Sequence, residues 1–132
     1  MTTFDERERG FETQWQHDET VRFRVLSRRN RLLGLWAGHL MGLTVGEAEA
    51  YAKRLVDLEV ELAGDEPIHD RVEADLRRAD VDLSDHRLRK QMASLMIEAH
   101  DQVMSEATAS EADAQERYAA QVTSATGTLD RR

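Results

Sequence analysis

Residues Leu26–Leu55 read LSRRNRLLGLWAGHLMGLTVGEAEAYAKRL, and this stretch predicts two helices packed closely against each other. Leu26, Leu33, Trp36 and Leu40 recur at helical spacing and form an apolar stripe. Gly34, Gly38 and Gly42 repeat every four residues through the same segment. A glycine inside a helix costs about 1 kcal/mol relative to alanine, and close approach of a neighbouring helix is the usual compensation. Gly42 is expected to stop the first helix. Thr44-Val45-Gly46-Glu47 fits the T-x-x-E capping box that opens a second. The stripe of that second helix is Ala48, Tyr51, Leu55, Leu58 and Leu62, and the small residues Ala48 and Ala52 are positioned to meet the glycines of the first. A membrane G-x-x-x-G dimer face fails on length. The apolar run Leu32 to Leu43 falls well short of the roughly 20 residues that cross a bilayer.

Toward the C-terminus, Gly64 is expected to end the second helix. Asp65-Glu66-Pro67 opens a third, with Pro67 at the first helical position, where its missing N–H is harmless. Ile68, Val72 and Leu76 give it a short apolar face. An acidic linker, Asp80 to Asp85, leads to a fourth helix with Asp82 or Ser84 as N-cap. Leu88, Met92, Leu95, Ala99 and Val103 line that helix. From Ala107 to Arg132 the apolar residues thin out to Tyr118, Val122 and Leu129. This part is expected to be a disordered tail with transient helix between Glu111 and Val122.

Toward the N-terminus the charge changes sign. Met1 to Glu19 carries six acids (Asp5, Glu6, Glu8, Glu12, Asp18, Glu19) against Arg7 and Arg9, whereas Thr20 to Leu43 carries five arginines and no acid. The change marks residues 1–19 as an arm distinct from the body. Phe4, Phe11 and Trp15 share one face of a helix within it. A helix this short is marginal in water, and Gly10 weakens it. The arm is therefore expected to be partly disordered until it meets a surface; the alternative is that its aromatics pack back on the core.

The chain has 132 residues and a formal net charge of -8, which suits one domain and argues against nucleic acid as the main partner. There is no cysteine, so disulfides and thiolate metal sites are excluded. The acidic N-terminus is no secretory signal. No phosphate-binding loop, metal-ligand motif or nucleophile elbow occurs, and no enzyme activity is expected. The histidines His17, His39, His69, His86 and His100 read as surface or edge residues. Carboxylate pairs such as Glu59 and Glu61 read as solvated charge. The run Arg28-Arg29-Asn30-Arg31 reads either as a solvated face whose aliphatic stems cover the core or as a docking patch for an acidic surface or a phosphate.

Phe4-Asp5, Arg7-Glu8-Arg9, Glu12, His17-Asp18, Phe23, the string Arg28-Arg29-Asn30-Arg31-Leu32-Leu33-Gly34, then Trp36-Ala37, Leu40 and Gly42 together resemble the zeta subunit. This is the ATPase inhibitor of the alphaproteobacterial F-type ATP synthase. The resemblance is in register from Met1 to Gly42, weakens through the second and third helices, and covers roughly the first 105 residues. It implies an all-α four-helix bundle over residues 20–106, a mobile inhibitory arm over 1–19, and a remaining tail over 107–132. It further implies that the arm wedges between the alpha and beta subunits and the gamma rotor of the catalytic head, blocking ATP hydrolysis. Carried over by position, Phe4, Asp5, Arg7, Glu8, Phe11, Glu12, Trp15 and Asp18 would bind the partner. Phe23, Arg28, Arg29, Asn30, Arg31 and Trp36 would anchor the arm. The protein would be cytoplasmic, peripheral to the inner membrane through the synthase, and monomeric when free.

Two departures from the family pattern stand out. The chain continues beyond the fourth helix, and Phe11 and Trp15 make the arm more aromatic. No cofactor is expected beyond weak ATP or ADP binding at Arg28, Arg29 or Arg31. A helical nucleotide sensor built on those arginines is one alternative function; an adaptor or homodimer using the glycine-rich face is another.

Overall fold

The computed structural model describes residues 18–130, with side chains described to residue 123. The described residues form four helices: α1 (Glu19–Leu40), α2 (Val45–Glu61), α3 (Asp65–Arg78) and α4 (Asp85–Asp130). The arm residues Phe4, Asp5, Arg7, Glu8, Phe11, Glu12 and Trp15 lie outside them.

α1 is the centre of the bundle, packing most extensively on α2 and next on α4. The glycine spacing fixes how it sits. A Cβ built on Gly34 would fall 2.9 Å from Ala52 Cβ and 3.0 Å from its backbone nitrogen, and one on Gly38 would fall 2.9 Å from Ala48 Cβ. The two backbones therefore approach where both helices carry their smallest residues, as the sequence predicts. Between them, Met41-Gly42-Leu43 closes α1 in a Schellman motif. Leu43 N–H donates to Gly38 O at 3.0 Å and Gly42 N–H to His39 O at 3.1 Å. Gly42 supplies the required positive φ of 77°. Thr44 and Glu47 then form the full reciprocal capping box.

The same Schellman pattern ends α3, where Val81 N–H bonds Leu76 O and Asp80 N–H bonds Arg77 O. Here the left-handed position is Asp80, at φ 58°, a conformation that aspartate tolerates better than most residues. Gly64 is the N-cap residue of α3 without a side-chain cap. Pro67 is therefore the third helical residue rather than the first, still within the turn whose N–H groups need no intrahelical partner. Ser84 caps α4, accepting from Arg87 N–H at 3.1 Å.

The main core joins Leu33 and Ala37 of α1, Tyr51 and Leu55 of α2, Ile68, Val72 and Leu76 of α3, and Leu88, Met92 and Leu95 of α4. A smaller cluster joins Val25 to Ala99 and Val103. The predicted stripes of α3 and α4 are all buried. In α1 the stripe is corrected. Its inward residues are Val25, Arg29, Leu33 and Ala37, whereas Leu26 is half-buried and Leu40 exposed. The cause is the rotation imposed by Gly34 and Gly38 facing α2, which turns their neighbours Leu33 and Ala37 into the core. Leu62, read as the end of the α2 stripe, is the helix C-cap and exposed.

The boundary expected near Glu106 is a loss of packing and not a loss of helix. The α4 backbone continues helical to Asp130, and every side chain from Thr108 to Thr123 is exposed, Tyr118 and Val122 included. Alanine, glutamate and glutamine favour that backbone, but no apolar face covers it. No helix among the described residues is long and apolar enough to cross a membrane.

Candidate functional site

The expected arm meets the bundle at Asp18. Its carboxylate accepts from the backbone N–H of Thr20 and Val21, both at 3.1 Å, and its carbonyl accepts from Arg22 N–H at 2.8 Å. Asp18, assigned by resemblance to the partner-binding set, thus starts α1. A negative side chain also suits the helix N-terminus. Phe23, one turn further on, is 57% exposed, while Val25 beside it is fully buried. The root of the arm therefore presents an aromatic ring to the outside next to a closed core.

The arginine run divides by depth. Arg28 donates to Gln102 Oε1 at 2.7 Å and to Glu106 Oε1 at 2.6 Å on α4. Arg31 pairs with Glu49 of α2 at 3.1 Å. Arg29 lies within the apolar seam, its side chain 1% exposed. It donates from Nη2 to Asp65 Oδ1 at 2.7 Å and from Nε to Asn30 Oδ1 at 2.7 Å, with Glu59 at 3.8 Å. Buried Asn30 donates in turn to Glu59 Oε1 at 3.1 Å. Glu59 closes the network by accepting from Gly64 N–H at 2.8 Å through its other oxygen. The solvated-face reading is therefore corrected at Arg29 and Asn30, and the solvated reading of Glu59 with it. Beyond Glu19 in its first turn, α1 carries no acid, and the counter-charges of its arginines lie on the elements around it. Trp36 packs half-buried against the core.

Other polar ties were not legible in the sequence. Tyr51 donates to Asp75 Oδ2 at 2.8 Å; burial foremost, then the hydrogen bond to Asp75, push its phenol well above the usual range. Arg89 forks between Glu66, at 2.7 Å, and Asp85, at 3.1 Å. Its hydrogen bonds hold Glu66 below the usual carboxylate range. At Asp85 burial opposes the shift, but the hydrogen bond and charge of Arg89 lead the causes that outweigh it, and the carboxyl is again lowered. His69, expected at the surface, is buried: it sits among Asp70, Glu73 and Asp85. His100 is also largely covered, its side chain 18% exposed. These contacts join residues from different helices or hide a polar residue on an inward face, so no local motif announces them.

The described residues thus define a helical bundle in which Arg28, Arg29, Arg31 and Arg89 tie helices together through carboxylates. Residues 1–102 match the family described as ATPase inhibitor subunit zeta, and the chain belongs to that family. No curated relative matches it. Membership gives it the role of an ATPase inhibitor subunit that associates with the ATP synthase.

Proposed function

We propose that the protein blocks ATP hydrolysis by inserting its N-terminal arm at a catalytic interface formed by the alpha and beta subunits and the gamma rotor. The observation carrying this reading is that the family match runs unbroken from residue 1 into the bundle, so arm and body belong to one functional unit. Phe4, Phe11 and Trp15 would enter an apolar groove as one helix face, with Asp5, Arg7, Glu8 and Glu12 pairing at its rim. Asp18 ends the arm by capping α1, Phe23 offers an exposed ring beside the root, and Arg28, Arg29, Asn30, Arg31 and Trp36 keep α1 rigid beneath it.

A wedge stops a rotary motor in one direction only by binding one rotary state better than the others. The bundle then serves as a fixed base, and the complex sits at the cytoplasmic face of the inner membrane through the synthase. The test is site-specific photo-cross-linking from positions 11 and 15 to the cognate catalytic head. Adducts with alpha, beta and gamma are expected. Adducts confined to other subunits, or found only from positions on α4, contradict the proposal.

A further inference from the structure

His69 is the buried polar residue that the inhibitory reading leaves without a task. It lies on α3 with its side chain 3% exposed. Its Nδ1 is 3.1 Å from Asp70 Oδ1. A carboxylate only accepts, so this contact calls for a proton on Nδ1, and in the neutral ring Nε2 then carries the lone pair. Nε2 is buried and forms no hydrogen bond among the described residues. It nevertheless lies 2.7 Å from Asp85 Oδ1, on the first turn of α4, and 3.8 Å from Glu73 Oε2, one turn along α3. One atom from each of the three residues falls within 4.8 Å of the others.

A bare nitrogen lone pair facing two carboxylate oxygens is repulsive, so a positive species belongs between them. A proton on Nε2 would call for an acceptor along the N–H axis, and the close Asp85 oxygen does not meet hydrogen-bonding geometry. A metal ion makes a different demand. It sits on the lone-pair axis about 2 Å from the nitrogen, and the other ligands lie to the side. Tetrahedral ligands at bonds of that length lie about 3.3 Å apart, so Asp85 Oδ1, 2.7 Å from Nε2, would move outward on its exposed side chain to admit the ion. The Asp70 contact supplies the outer carboxylate that fixes the tautomer of a ligating histidine. Arg89 Nε steadies Asp85, donating to Oδ2 at 3.1 Å and Oδ1 at 3.3 Å.

We propose that His69 Nε2, Glu73 and Asp85 bind one divalent transition-metal cation of the zinc class, clipping α3 to the start of α4. One imidazole and two carboxylates suit such an ion better than calcium or magnesium, which favour all-oxygen sites. Water would complete the coordination. The site spans a junction where α3 and α4 share little packing, so the ion would act mainly by holding the two helices together.

The test titrates Zn²⁺, and Co²⁺ as a spectroscopic probe, into the full chain at neutral pH, with calorimetry and side-chain ¹⁵N spectra of His69. The expected result is saturable 1:1 binding, a shift at His69 Nε2 and a raised thermal midpoint. Glu73→Gln, an isosteric change at a partly exposed position, should weaken binding at least about tenfold, and Asp70→Asn about 10–100-fold. The proposal is overturned if no saturable binding occurs up to millimolar Zn²⁺. It is also overturned if binding leaves His69 undisturbed and survives Glu73→Gln, which would assign the ion to surface histidines.

Discussion

Arg29 Nη2 lies 2.7 Å from Asp65 Oδ1, joining the middle of α1 to the first residue of α3 across 36 positions of sequence. The guanidinium is 1% exposed and the carboxylate 58%. The two partners therefore respond differently to removal. Arg29→Ala strips the counter-charge from Glu59, only 10% exposed, and should cost about 3–5 kcal/mol. Asp65→Asn leaves Glu59 and Asn30 in place and should cost about 1–3 kcal/mol. Arg29→Lys should fail to restore stability because an ammonium cannot reproduce the fork. Urea unfolding of the three variants checks the order.

Gly38→Ala places a methyl 2.9 Å from Ala48 Cβ and should destabilise by about 1–3 kcal/mol through overpacking, despite alanine's better helix propensity. Ala48→Gly in the same chain should recover part of the loss, because it removes the obstructing methyl. Gly46→Ala meets nothing within 4 Å and should stabilise by about 0.4–1 kcal/mol. Thermal melts of the single and double variants separate packing from propensity.

The two Schellman turns predict opposite effects at equivalent positions. Gly42, at φ 77°, has open space for a side chain, so Gly42→Ala should cost about 1–2 kcal/mol from backbone strain alone. Asp80 adopts φ 58° with a side chain, and Asp80→Gly should gain up to about 1 kcal/mol. Denaturation midpoints with unchanged slopes would check both.

Glu47, Glu66 and Asp85 all have folded-state pKa values below their ordinary ones. For Glu47 the cause is the backbone and hydroxyl hydrogen bonds of Thr44. A lowered carboxyl contributes stability that is fully present above its unfolded pKa, about 4, and is lost as pH falls through the folded value. The contribution of these three carboxyls should thus be flat above about pH 5 and decline below about pH 4. Glu47→Gln and Glu66→Gln should each make that decline shallower, as read from urea midpoints across the range.

Nucleotide binding by the arginine run would have to displace carboxylates already in place. Titrating ATP or ADP into the protein should leave the Arg29 signals unmoved, since that side chain is buried and paired. Any response should be confined to Arg28 and Arg31. A saturable shift at Arg29 would contradict the network.

Much of the bundle was legible because its signals are local. The capping box at Thr44–Glu47, the stop at Gly42, the Ser84 cap and the α4 stripe each depend on residues a few positions apart. The match of Gly34 and Gly38 to Ala52 and Ala48 was also readable, since a short hairpin brings consecutive helices together. What could not be read depends on distant partners. Arg29 looks like surface charge until Asp65 and Glu59 come beside it. His69 looks like an edge residue until Asp85 folds over it from the next helix. The inward face of α1 was misread for the same reason, because contact with α2, not its own hydropathy, sets its rotation. Asp18 was legible as the end of the arm but not as the residue that starts the helix.

The central claim is that the arm, not the bundle, inhibits. ATP hydrolysis by the cognate catalytic head should be measured with the full chain, with Phe11→Ala and Trp15→Ala variants, and with a version beginning at Asp18, which keeps the α1 cap. The account predicts inhibition by the full chain, at least about tenfold weaker inhibition by either aromatic variant at unchanged bundle stability, and none by the truncated chain. Full inhibition by the folded chain beginning at Asp18 would contradict it.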